Sequence, residues 1–270
     1  MSTAAPSGLA GHAADFARDG AIHLPAIFAD WVETLRAGVE RAMATPGPWE
    51  RSYKPKDGSS PFFQDFARWK DTPEFQRFLD GSNIGAIAAT LMGCREVRLF
   101  HDHILVKEPG SSIVTPWHQD TPYYCVTPEQ SISFWIPLDP VARAVSPEFV
   151  AGTHRGNVEY KPQRFDGTDL YAADTRPPMP AIDADRGRWR ILGWEMAPGD
   201  ALAFHYSTIH GAPANTDGGR RRRAVSWRVV GEAARFVDRG GKGSPPMSHL
   251  TLKTGDALTG PDFPLLHPRN

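Results

Sequence analysis

A chain of 270 residues with 40% hydrophobic and 23% charged side chains, a formal net charge of −1 and a pI near 6.8 reads as a soluble globular protein, and that near-neutral balance argues against nucleic acid or anionic lipid as a partner. No apolar run is long enough to span a bilayer. Residues 1–20, broken by Asp15, Arg18 and Asp19, lack the basic-then-apolar layout of a signal peptide, so a cytoplasmic location is expected.

The small-residue opening, to about Gly11, is expected to stay unstructured. Ala21-Ile22-His23-Leu24 reads as a short strand, and Asp30 as the cap of a helix carrying Trp31, Leu35, Val39 and Ala42 or Met43 at helical spacing. Residues 45–60, rich in Pro, Gly, Lys and Ser, mark a loop. Thr72-Pro73-Glu74 opens a second helix, and residues 83–92, closed by Gly93, form a third. Cys94 and Cys125 are too few for a disulfide scaffold or a thiolate metal site. At about Glu96 the character changes. Val97 to Lys107 is rich in β-formers, and further short extended runs follow at 117–120, 131–137, 147–150, 200–204 and 222–230. Short strands between Pro/Gly turns predict a mainly β (α+β) sandwich or barrel, not a βαβ sheet. No dinucleotide-type glycine fingerprint, phosphate loop or internal repeat is present.

The chemistry-bearing stretch is Trp117-His118-Gln119-Asp120. If it is extended, His118 and Asp120 leave the strand on one side and Gln119 on the other. An imidazole and a carboxylate aimed at one point are two thirds of a 2-His-1-carboxylate metal site, though two polar residues on a half-buried strand would look the same. A third ligand would come from the segment Phe204 to Asn215, which offers His205 and His210, with Gly211 beside the latter allowing close backbone approach. Four arginines follow, Arg220 to Arg223. They form either a solvated basic patch or, by strand alternation, a selective arrangement. Arg222 shares a face with the small Ala224 and Ser226, which leaves room for a planar carboxylate, whereas Arg221 and Arg223 share theirs with Val225, Trp227 and Val229.

With these residues in order, the sequence resembles the phytanoyl-CoA dioxygenase-like branch of the Fe(II)/2-oxoglutarate-dependent oxygenases. The similarity runs from Phe16-Ala17-Arg18-Asp19-Gly20 through Val106-Lys107-Glu108-Pro109-Gly110, Trp117-His118-Gln119-Asp120, Phe134-Trp135-Ile136-Pro137 and Gly152-Thr153-His154-Arg155. It ends at Phe204-His205, His210-Gly211 and Arg222-Arg223-Ala224. The resemblance implies a double-stranded β-helix, or cupin-like jelly roll, behind an N-terminal helical layer. It also implies iron ligation by His118, Asp120 and His210, with Arg222 on the distal carboxylate of 2-oxoglutarate. Lys107, Gln119 and Trp135 fall where the family lines the cosubstrate pocket. The expected organisation is one domain over 1–270: a mostly helical layer (1–95), the jelly-roll core (96–232) and a C-terminal tail packing on it (233–270). The implied reaction uses Fe(II), 2-oxoglutarate and O2 to hydroxylate a C–H bond of a small organic molecule, releasing succinate and CO2. A carboxylate at Asp120 leaves no position for chloride and disfavours halogenation.

Two departures from the family pattern stand out. The turn around Asp217-Gly218-Gly219 is one residue longer, so counting from His210 selects Arg221, whereas strand register selects Arg222. Ala212 replaces a serine often found near the same carboxylate, at a cost of about 1 kcal/mol for the lost hydrogen bond. His103 and Tyr123 are candidates for the substrate pocket or ordinary core packing. Arg228, on the Arg222 face, is placed either against an anionic substrate or in an ion pair with an acid at the core rim. The long segments 45–60, 160–188 and 240–270 have the length of lids. A zinc hydrolase using the same three ligands and a non-catalytic cupin-like 2-oxoglutarate or metal sensor are the competing readings. Monomer and homo-oligomer are not distinguished.

Overall fold

The computed structural model describes residues 8–164, 167–216 and 219–269. The expected unstructured opening falls outside them up to residue 7, as do two residues of the Asp217-Gly218-Gly219 turn. Order begins earlier than expected, because α1 (Leu9–Asp19) buries Leu9 and Phe16. It closes on Gly20, whose φ of 75° is left-handed, and a Cβ there would lie 2.3 Å from His154 Nδ1 and 2.5 Å from Thr208 Oγ1. Only glycine meets both demands. β1 (Ala21–Leu24) follows as expected.

Asp30 sits inside a short 3₁₀ turn, Ala29–Trp31, and does not cap the next helix. That helix, α2 (Val32–Ala44), buries Leu35, Val39 and Ala42 at the predicted spacing. β2 (Phe62–Phe66) was not anticipated. α3 (Pro73–Gly81) starts at Thr72-Pro73, and α4 (Ile84–Met92) ends on left-handed Gly93.

The remaining strands are β3 (Val97–Lys107), β4 (Thr115–His118), β5 (Ser131–Pro137), β6 (Glu148–Val150), β7 (Ile191–Leu192), β8 (Ala201–Phe204), β9 (His210–Ala212), β10 (Arg222–Gly231) and β11 (Leu265–His267). They form two antiparallel sheets. The larger runs β1-β8-β5-β10-β3-β11, with β2 also on β3, and the smaller runs β4-β9-β6-β7.

Alternation splits the large sheet into two chemistries. On its outer face Ile104, Val106, Phe134, Ile136, Val225 and Trp227 join α1 to α4 in the main core. Trp227 stacks on Phe78 (5.0 Å, 20°) and meets Phe75 edge-on (5.4 Å). Fully burying a ring system of this size contributes about 3 kcal/mol or more through area removed from water. On the inner face, register places Phe66, His103, Ser226 and Trp135 side by side across four strands, and Lys107 beside both Phe62 and Arg222. That inner face looks onto the small sheet. Among the described residues no helix is long and apolar enough to cross a membrane.

Candidate metal centre and active-site cavity

Between the sheets lies a cavity of about 660 Å³. His118 ends β4 and His210 begins β9, and the two are paired across the strands. Asp120 reaches the same point by a different route from the one expected. The strand stops at His118, and Asp120 has helical φ/ψ (−73°, −36°) at the head of a short 3₁₀ turn, Thr121–Tyr123. Its amide, with that of Thr121, donates to Tyr206 O at 2.8 and 3.1 Å, which fixes the turn.

Asp120 Oδ1 lies 3.7 Å from His118 Nε2 and 3.9 Å from His210 Nε2. Nδ1–H of His118 donates to Pro116 O (2.8 Å) and that of His210 to Thr208 O (2.9 Å). A carbonyl oxygen only accepts, so each Nδ1 carries the proton and each Nε2 keeps its lone pair free. Burial first, then the neighbouring His118, pushes His210 down to about 3, so it is neutral at physiological pH. For Asp120 burial favours the neutral acid, but favourable neighbours, the Arg228 guanidinium first, outweigh it and hold the carboxyl below its ordinary value. The carboxylate's second oxygen accepts from Ser133 Oγ (3.3 Å) and lies 3.9 Å from Arg228 Nε, whose guanidinium also donates to the Tyr124 hydroxyl. Oδ1 is thereby the oxygen left for a ligand. Two imidazoles and one carboxylate, with donor atoms all within 4.8 Å of one another, form a donor set for a divalent transition metal with positions left open.

The other expected site residues divide. Arg222 is buried (7% exposed), lines the cavity and donates to Val145 O, with no carboxylate beside it among the described residues. Burial alone brings its guanidinium down to about 10. Arg221 instead pairs with Glu108 (2.8 Å) and Glu40 (3.1 Å) outside the cavity. Lys107 lines the cavity and donates to Ile113 O (2.6 Å) and Pro213 O (3.2 Å), and burial, then Arg222, push it down to about 6. Trp135, His103, Tyr123 and Arg228 also line it. Gln119 does not. It clamps two chain segments instead, donating to Val158 O (3.0 Å) and Ser207 O (2.9 Å) and accepting from Tyr160 N (3.0 Å). This corrects its expected place in the cosubstrate pocket: the chain turns after His118, and the amide is consumed by backbone groups. His205 is also away from the cavity, its Nδ1 accepting from Ser207 N.

Sequence reading missed the wall made by Phe62, Gln64 and Phe66. Their alternation in Phe62-Phe63-Gln64-Asp65-Phe66 was the available signal, and it was masked by the loop-like composition just before it. The three long segments all reach the mouth, through Arg51 and Tyr53, Gln163 and Met179, and Lys242 and Ser244. The second and third of them are tied to the turn beyond Asp120: Tyr123 Oη donates to Gln163 O (2.7 Å), Ser244 N donates to Tyr123 O (2.8 Å), and Tyr171 Oη donates to Pro122 O (3.0 Å).

Comparison with known proteins gives consistent relatives. The chain is similar to a Caenorhabditis elegans protein named probable phytanoyl-CoA dioxygenase, at 26% identity over 192 residues covering 68% of this chain and 59% of that protein. The match thus spans less than two thirds of that relative's length. Among solved structures it is similar to the non-heme alpha ketoglutarate dependent epimerase SnoN from nogalamycin biosynthesis (24% identity, 98% of each chain, TM-score 0.75). It is also similar to EctD from S. alaskensis (19% identity, 88% of this chain and 81% of that one, TM-score 0.67). At these identities the structures show the shared fold, a cupin-like double-stranded β-helix. A family model described as Phytanoyl-CoA dioxygenase (PhyH) matches residues 16–224, well over half of the sequence and including every residue of the metal-donor cluster. By that match the chain belongs to the phytanoyl-CoA dioxygenase family.

Proposed function

We propose that this protein is a non-haem Fe(II)- and 2-oxoglutarate-dependent oxygenase that hydroxylates a C–H bond of a small organic substrate, with release of succinate and CO2. The observation that carries the reading is Arg222, a buried cation with no acid beside it among the described residues, facing the same cavity as the His118, Asp120 and His210 donor set. An isolated buried charge is costly, and a dicarboxylate ligand removes that cost. The donor set fits Fe(II), which with bound 2-oxoglutarate and O2 supplies the oxidation of the substrate. His118 and His210 offer Nε2, and Asp120 offers Oδ1. Arg222 grips the far carboxylate of 2-oxoglutarate, and Lys107 adds positive charge when protonated. Trp135 and Phe62 help exclude water from the cavity. SnoN is described in complex with Fe3+ and alpha ketoglutarate, and EctD with 2-oxoglutarate and 5-hydroxyectoine, which supports the cosubstrate assignment. A zinc hydrolase would have no use for Arg222 in the cavity.

Anaerobic addition of Fe(II) and 2-oxoglutarate is expected to produce a weak visible charge-transfer band, absent in His118→Ala. In air, succinate should form, and a substrate should gain one oxygen by mass. Loss of the band together with zinc-dependent hydrolysis would overturn the assignment. Epimerised or cyclised product without oxygen incorporation would overturn the hydroxylation step alone.

A further inference from the structure

Of the three donor side chains, Asp120 is held differently from the two histidines. Each histidine has its second ring nitrogen tied to a backbone carbonyl of its own segment, Pro116 O or Thr208 O. Asp120 has its second oxygen fastened to side chains of the opposite, larger sheet. Ser133 Oγ donates to Oδ2 at 3.3 Å, and Arg228 Nε stands 3.9 Å from the same atom. Ser133 on β5 and Arg228 on β10 are register partners, so they face the turn that carries Asp120 as one unit.

Arg228 meets that turn at a second point. Its Nε–H donates to the hydroxyl of Tyr124, which closes the turn begun at Asp120. A guanidinium only donates, so the tyrosine's own hydrogen is left for an acceptor, and Asp120 is its hydrogen-bonding neighbour. All of these groups are buried: Arg228 is 5% exposed, Asp120 4%, Tyr124 3% and Ser133 0%. A buried ion pair is a poor source of net stability, because desolvating both charges offsets their attraction. Its place behind the metal donors points to another role. A carboxylate meets a metal with one oxygen or chelates it with both. Here Oδ1 faces both histidine Nε2 atoms, at 3.7 and 3.9 Å. A metal bonding to Oδ2 as well would displace the serine hydroxyl and approach the guanidinium, a cation that repels it.

From this geometry we propose that Arg228, with Ser133 and Tyr124, is a positioning residue that keeps Asp120 a one-oxygen ligand, so that the donor set leaves the rest of the metal's positions open. The proposal rests on reading His118, Asp120 and His210 as a metal centre. A chelating carboxylate would occupy a position that cosubstrate or oxygen needs.

The test counts the waters on Mn(II) bound to the full-length protein without 2-oxoglutarate, from the broadening of its electron paramagnetic resonance lines in water enriched in the magnetic oxygen isotope. Mn(II) favours an octahedron of about six ligands, so the wild type is expected to show about three bound waters. Arg228→Met, which removes the cation beside Oδ2, should show about two. Ser133→Ala combined with Tyr124→Phe should give the same fall, and takes its place if Arg228→Met does not fold. A wild type with about two waters overturns the proposal, because Asp120 then chelates despite its neighbours. So does an unchanged count in the variant, with or without a lower melting temperature, which is what a purely structural Arg228 would give. Absence of Mn(II) binding in the wild type strikes the metal-centre reading and the proposal with it. Binding with a count that substitution does not move strikes the proposal alone.

Discussion

Strand β10 presents two faces to two different environments. On one, Val225, Trp227 and Val229 are packed in the core, and Arg223 is satisfied by Asp139 (2.6 Å) and Glu40 (2.9 Å). On the other, among the described residues Arg222 has no acid beside it and Ser226 Oγ has no hydrogen bond, and Arg228 is shared between Tyr124 and Asp120. The residues alternate along a single strand, so their differences come from what each face meets. The core face contributes stability through the apolar area it buries, although Trp227 Nε1 finds no hydrogen bond there among the described residues, whereas the cavity face holds a buried charge that a ligand can complete.

The sharpest way to break that contrast is at Trp227. Trp227→Ala should cost about 3–5 kcal/mol of stability, read as a large fall in denaturation midpoint. Next, Arg222→Met should weaken 2-oxoglutarate binding by about 100-fold, equivalent to about 2.7 kcal/mol for a lost charge-assisted anchor. It should not lower the melting temperature of the ligand-free protein, since it removes an uncompensated buried charge. Arg221→Ala should change binding by less than about threefold, as expected of a partly exposed ion pair. Greater damage at Arg221 would reverse the assignment between the two arginines. Loss of melting temperature in Arg222→Met would show that the cavity face also carries stability.

Lys107 sets a pH test. Burial, then Arg222, lowers its folded-state value to about 6, while an unfolded lysine titrates near about 10.4. The penalty for a charged buried Lys107 is complete below the lower value and is relieved as pH rises between the two, so stability rises with pH across that window. Thermal melts from pH 6 to 9 should show this rise in the wild type, and it should be flatter in Lys107→Met. A modest effect is expected at Ala212, which lines the cavity on β9. Ala212→Ser should tighten 2-oxoglutarate binding by about fivefold, the worth of about 1 kcal/mol for one added hydrogen bond.

Much of this contrast was legible in the residues. The alternation from Arg222 to Val229 and from His103 to Lys107 has the period of a strand, and both strands are long enough to keep it. The helical spacing in α2 and the glycine stop of α4 were equally plain. The metal stretch was read less well. His118 and Asp120 do converge, but Asp120 does so from a helical turn held by Tyr206 O, a contact 86 residues away in sequence. The same turn carries Gln119 out of the expected pocket.

By itself, the sequence determined the strand and helix periods, the donor types and the face on which Arg222 lies, because those follow from local backbone geometry. Only the tertiary structure decided which histidine joins His118 and Asp120, which arginine lines the cavity, and that β2 brings Gln64 and Phe66 against His103. Those outcomes depend on pairings between distant segments and on which polar groups the folded chain leaves unsatisfied. No local pattern encodes that account of hydrogen bonds.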